Sequence, residues 1–170
     1  CLALTQVQVG AQVISARAGM VKNVRGQAFY RCHLDDRTRE LKKGFLLHNG
    51  DVLISAGAST ALTLDPDAYF VVSPDSVVRV KETALEAMRF DIDRGEILIV
   101  SKTMGKDVIL RIHTPPTVLT ISKPGLLRIS VAENGNTEAN VAEGELEYMD
   151  EYKRVQRIGK GRQVNFVKKK

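Results

Sequence analysis

The chain has 170 residues, 44% of them hydrophobic and 26% charged, a balance that suits one globular domain and excludes wholesale disorder. No apolar run approaches the ~20 residues that a membrane helix needs, so no helical transmembrane segment is expected. The net charge of +5 is segregated: every charge before Asp35 is basic, every charge in 133–151 is acidic, and every charge from Lys153 onward is basic again.

That pattern bears on partners. An acidic block beside a basic tail repels the same polyanion that the tail would attract. With 5% aromatic residues and no Trp there is also little to stack on bases, so nucleic acid is not expected as a partner. Complementary packing between regions or between subunits is expected instead.

In chain order, Cys1 comes first and admits three readings: the lipidated first residue of a processed lipoprotein, a disulfide partner for Cys32 or for a neighbouring subunit, or an ordinary thiol. A lipoprotein cysteine is normally followed by a polar tether, whereas residues 2–16 alternate. Val7, Val9 and Val13 face one way and Gln6, Gln8 and Gln12 the other. This is the pattern of a strand of about ten residues, which can pair with another sheet edge.

Residues 20–24 and 27–32 read as strands around Gly26, and 35–43 as a charged loop or a single helical turn. Residues 41–80 hold short β-branched and leucine-rich runs, broken at Asn49-Gly50-Asp51, Gly57, Asp65-Pro66-Asp67 and Ser73-Pro74-Asp75. Residues 83–92 have helical propensity, but Met88, Phe90 and Ile92 alternate with charged neighbours, so 87–92 is expected as a strand. Asp93-Arg94-Gly95 is expected to turn the chain into 96–100, and Met104-Gly105-Lys106-Asp107 into 108–112.

Further strands are expected at 118–121 and 127–131, with Asn134-Gly135 making a type I′ hairpin to 138–141. Residues 152–158 are polar and open to a helical reading, and 162–167 form a last strand. About twelve short strands with turn signals between them predict an all-β fold, a jelly-roll-like β-sandwich with an irregular β-solenoid as the alternative.

No local pattern carries chemistry. Asp91, Asp93, Gly95 and Glu96 echo a calcium loop but lack its remaining oxygen ligands, and Asp65 and Asp67 read as turn formers. His33, His48 and His113 are isolated and lack metal-ligand spacing, so no metal, cofactor or catalytic residue is expected. Tyr69-Phe70 and Phe29-Tyr30 should each place one ring in the core and one outside.

The order of these blocks resembles the FecR-like domain of bacterial envelope proteins. The hydrophobic step into Gly-Asp is Leu46-Leu47-His48-Asn49-Gly50-Asp51-Val52-Leu53, followed by Ser59-Thr60-Ala61-Leu62-Thr63-Leu64. The strand ending in Gly is 90–95, before the short apolar strand 96–100, and the Thr-Pro block is Ile112-His113-Thr114-Pro115. The late blocks are Val141-Ala142-Glu143-Gly144 and Gly161-Arg162-Gln163-Val164, and Ala16-Arg17-Ala18-Gly19-Met20-Val21 leads into the domain.

Gly125-Leu126 departs from the family's Gly-Thr. The cytoplasmic segment and membrane helix of the family's sigma-factor regulators are not in the sequence, so the resemblance implies fold and extracytoplasmic location and leaves sigma-factor regulation aside. It divides the chain into a strand-like extension at 1–15, a β-domain at 16–166 and a basic tail at 167–170.

The expected function is that of a non-enzymatic extracytoplasmic module working through protein contacts. It would form a homo-oligomer or homopolymer by lending its N-terminal strand, and a neighbouring subunit would order the basic tail. Alternatives are a signalling or sensing module lipid-anchored through Cys1 in the periplasm or outer membrane, and a carbohydrate-binding jelly roll.

Overall fold

A computed structural model describes residues 18–169. The strands are β1 (Met20–Arg25), β2 (Phe29–Arg31), β3 (Thr38–Glu40), β4 (Val52–Ser55) and β5 (Ser59–Asp65). They continue with β6 (Ala68–Val72), β7 (Ser76–Glu82), β8 (Met88–Ser101), β9 (Leu110–His113) and β10 (Val118–Ile121). The last are β11 (Gly125–Val131), β12 (Thr137–Glu143), β13 (Glu145–Met149), β14 (Val155–Gly159) and β15 (Arg162–Phe166). A 3-10 turn at Leu85–Ala87 is the one helical element among the described residues.

Two sheets share one strand. The first runs β1-β5-β6-β8-β11-β12-β15, antiparallel throughout. The second runs β3-β2-β4-β7-β8-β9-β10-β13-β14, with β8–β9 its single parallel pair. Antiparallel pairing of strands distant in sequence, such as β8 with β11 and β12 with β15, makes this a β-sandwich and excludes the solenoid.

Alternating burial along β5, β6, β9, β11 and β12 sends one side chain in two into a single core. Phe70 of the first sheet meets Phe90 of the second edge-to-face, with ring centroids 4.7 Å apart. Such a pair contributes about 0.5–1.5 kcal/mol beyond the burial of its area. Phe70 and Tyr30 are buried while Tyr69 and Phe29 are only partly covered, as the alternation predicts.

β8 organises the whole. Its first half pairs with β7 and β9, its second half with β6 and β11. Buried positions fall at Met88, Phe90 and Ile92, then change phase to Ile97 and Ile99. A strand that leaves one layer for the facing layer must reverse its inward face, because both layers look at the same core.

The reversal occurs at Asp93-Arg94-Gly95, which is therefore a kink inside one strand of 14 residues and not the expected turn. Gly95 has φ +97, and a Cβ there would stand 2.5 Å from the Ser76 Cα. Ser76 closes the corner from below. Its Oγ accepts the Glu96 amide at 3.0 Å, and its own amide donates to Ser55 Oγ at 3.1 Å.

Three further expectations change. Part of 35–43 is the edge strand β3, fully paired with β2, because pairing outweighs the weak local preference of a charged run. Charged edge strands also discourage unwanted sheet extension.

Part of 152–158 is β14, joined to β13 by a turn built on Asp150. The Asp150 carboxylate accepts the amides of Arg154 and Tyr152, both at 2.9 Å. The Arg154 amide first, then the Gln156 and Arg154 side chains, lower this carboxyl to about 2, against the opposing effect of burial. The Asn134-Gly135 hairpin forms, but only Gly135 has positive φ and its amide donates to Ala132 O. The turn is thus a three-residue loop and not type I′.

The buried hydroxyls of Thr60 on β5 and Thr137 on β12 have no hydrogen-bond partner among the described residues. An unpartnered buried hydroxyl costs about 1–3 kcal/mol. Thr60→Val should therefore stabilise the fold by about 1 kcal/mol, read as a higher urea midpoint at unchanged slope. An unchanged or lower midpoint would mean that the hydroxyl is satisfied.

Candidate functional site

The most concentrated chemistry lies where the β2–β3 loop meets the entry to β4. β2 and β4 pair with Arg31 opposite Val52, and continuing that register sets Cys32 opposite Asp51 and His33 opposite Gly50. The Asn49-Gly50-Asp51 turn is held by the Gly50 amide on Val80 O at 2.7 Å and the Val80 amide on Asp51 O at 2.9 Å. A side chain on Gly50 would meet His33 Cβ at 2.8 Å, so the loops pack directly against each other.

Asp51 is 1% exposed although its neighbours reach solvent. Its Oδ1 accepts the His33 amide at 3.0 Å and lies 2.7 Å from His33 Nδ1, while Oδ2 accepts the His48 amide at 2.9 Å. Burial pushes this carboxyl up, but the His48 amide, the His33 ring and the His33 amide together outweigh it, and the group is held below its ordinary value.

His48 Nδ1 is 3.8 Å from Oδ2, and the two imidazole rings are 6.3 Å apart. Cys32, half-buried at the end of β2, makes no disulfide among the described residues. One donor atom each from Cys32, His33 and Asp51 lies within 4.8 Å of the others.

The isolated histidines of the sequence are thus two neighbours and one outlier. His33 and Asp51 are 18 residues apart, and only the β2–β4 pairing joins them, so no spacing motif could reveal the cluster. His113 lies apart on β9, where burial first and the nearby Arg89 second lower its pKa. The other sequence candidates, Cys1, Val7, Val9 and Val13, lie outside the described residues.

Asp91 and Asp93 face basic side chains. Asp93 Oδ2 accepts Arg79 Nε at 2.8 Å, and Asp91 Oδ1 accepts Arg89 Nε at 3.1 Å. Asp67 sits in the β5–β6 turn and accepts the Thr103 hydroxyl at 3.1 Å.

The segregated charges meet within the chain. In the acidic block, Glu138 pairs with Arg128 at 3.2 Å, Glu145 with Lys123 at 2.8 Å, Glu147 with Arg157 at 2.7 Å and Glu151 with Lys169 at 2.7 Å. The Lys168 amide donates to Asn136 Oδ1 at 3.1 Å. The basic tail through Lys169 therefore has partners in its own chain, contrary to the expectation that a neighbouring subunit must order it. These are surface pairs, each of little energetic weight.

A second feature is the open side of the sandwich at β14 and β15. Each pairs with one neighbour only among the described strands, β13 and β12 respectively. Tyr148 and Phe166 meet edge-to-face across the gap with centroids 4.9 Å apart. Outside this contact Met149, Tyr152, Val155 and Val167 are 58%, 77%, 59% and 69% exposed, and they account for four of the seven exposed large hydrophobics described. A groove of about 880 Å³ runs between the β13–β14 hairpin and β15, lined by Met149, Val164, Phe166 and Val167 among others.

No family model matches the sequence, and no curated protein does. Among solved structures the fold is similar to two crystal structures of a protein described as a "putative anti-sigma factor" from Parabacteroides distasonis ATCC 8503. Both give a TM-score of 0.53, at 15% and 16% identity, over 66% of this chain. The match covers 52% of that protein, so this chain spans about half its length. At this identity the likeness concerns fold alone: over the matched part the chain shares a β-sandwich with those structures.

Proposed function

We propose that the chain is a non-enzymatic, extracytoplasmic, FecR-like interaction module that self-assembles by lending its N-terminal strand to a neighbouring copy. The carrying observation is the β14–β15 side, where exposed apolar side chains coincide with sheet edges that pair on one side only among the described residues. Sheet edges take up extended segments through main-chain hydrogen bonds, with alternate side chains supplying specificity.

Residues 1–16 carry no charged side chain and alternate through Val7, Val9 and Val13. Such a segment would cover Met149, Val155 and Val167 without burying a charge. Donation from one copy to the next is head-to-tail and yields rings or filaments. The order of the FecR-like blocks is what supports the family and the location outside the cytoplasm, and the likeness to structures described as a "putative anti-sigma factor" supports the β-sandwich fold alone.

The full chain should form oligomers visible by electron microscopy and light scattering. Deleting residues 1–15 should leave folded monomers whose thermal transition stays cooperative but no longer depends on protein concentration, and Val155→Lys should weaken assembly about tenfold or more, since a Lys at the contact cannot be buried unpaired. Assembly of the shortened chain as before, or a monomeric full chain at high concentration, would sink strand donation.

A further inference from the structure

We propose that Cys32, His33, Asp51 and His48 form a binding site for a divalent transition-metal ion of the zinc type, clamping the β2–β3 loop onto the entry of β4. Donor atoms of the first three residues lie within 4.8 Å of one another, and His48 Nδ1 lies 3.8 Å from Asp51 Oδ2. Four ligands on a tetrahedral ion stand about 3.5 Å apart, given metal–ligand bonds of about 2.0–2.3 Å. His48 is close to that distance from Asp51 but lies outside the trio whose donors fall within 4.8 Å of one another, so its exposed ring must rotate toward Cys32 and His33 to complete the site.

The donor set selects the ion. A thiolate with two imidazoles and one carboxylate suits zinc or cobalt and disfavours calcium and magnesium, which take oxygen ligands. The carboxylate is already aimed, because the amides of His33 and His48 fix both its oxygens. The imidazoles are exposed enough to leave an entry path, with side chains 32% and 61% accessible.

Before binding, the Cys32 thiol neighbours the Asp35 carboxylate, which is paired with Arg39. On binding, the thiol gives its proton to solvent and the sulfur turns to the ion as thiolate.

Cobalt(II) is the probe, added to the untagged full chain under reducing conditions with Cys1→Ser, so that only one thiol remains. One equivalent should bind, with a thiolate-to-cobalt charge-transfer band and the intense visible bands of four-coordinate cobalt. Zinc should displace it and raise the melting temperature. Cys32→Ser should abolish the charge-transfer band, and Cys32→Ser or His48→Ala should weaken binding by about 10-fold or more, since losing even an outer-shell partner of a metal site costs that much.

A parent protein that shows no saturable cobalt binding, or binds without the charge-transfer band, overturns the proposal whether or not the variants fold. So does equal affinity in a folded Cys32→Ser protein. The metal titration and the oligomerisation assay read different sites, so either reading fails without the other.

Discussion

Gly95→Ala should destabilise the protein by about 3–5 kcal/mol, lowering its melting temperature by roughly 10 °C or more. Two costs combine. At φ +97 an L side chain is strained, and a Cβ would clash with Ser76 Cβ and stand 2.5 Å from Ser76 Cα, a backbone atom that cannot step aside. Gly57 supplies the control: its φ is +70 but nothing lies within 4 Å of the added Cβ, so Gly57→Ala should incur the strain alone, about 1–2 kcal/mol.

Adding Ser76→Ala to Gly95→Ala should not rescue the fold. It removes only Oγ, leaves Cβ and Cα in place, and deprives the Glu96 amide of its acceptor. Equal urea midpoints for Gly95→Ala and Gly57→Ala, or full rescue by the double change, would show that the strand crossing is not as tight as its geometry.

Asp51→Asn should cost about 3 kcal/mol at neutral pH. The buried carboxylate accepts two backbone amides and one imidazole, hydrogen bonds to a charged acceptor contribute about 1.5–3 kcal/mol each, and an amide keeps only part of that capacity. The same substitution should flatten the acid limb of stability.

The Asp51 pKa is lowered in the folded protein from an unfolded value near 3.8, so its contribution is complete above that value and is lost as pH falls below it through the folded pKa. Other lowered carboxyls, Glu82, Glu145 and Asp150 among them, slope in the same direction, so the measurement is the difference between parent and variant. The difference between the two urea midpoints should hold above pH ~3.8 and narrow below it as Asp51 takes up its proton. Parallel curves would show that this carboxylate contributes nothing specific.

Much of the fold could be read along the chain, because strand formation here follows a period of two. Thr60, Leu62 and Leu64, then Ala68, Phe70 and Val72, then Leu127, Ile129 and Val131 alternate with polar or surface-facing neighbours, and each set is buried as its spacing predicts. The missed strands are those whose residues lack that signal. β3 is Thr-Arg-Glu and β14 is Val-Gln-Arg-Ile-Gly, both at sheet edges, where the partner strand and not the side chain decides the conformation.

The β8 crossing lies between these cases. The phase change from Phe90 and Ile92 to Ile97 and Ile99 is present in the sequence. A turn and a change of layer both interrupt the alternation, however, and only the pairing distinguishes them.

By itself the sequence determined that the chain is all-β, where most strands start and stop, and which side of each strand is buried, since these depend on neighbours one or two residues away. It also carried the charge segregation and the alternating, uncharged N-terminal segment on which the assembly reading rests. Tertiary structure alone decided that the acidic block pairs with basic residues of its own chain, that Gly95 marks a passage between layers, and that His33, His48 and Cys32 gather around Asp51. The physical reason is common to all three. Each depends on which strands lie side by side, and register between segments far apart in the chain is set by the whole core, not by any local run of residues.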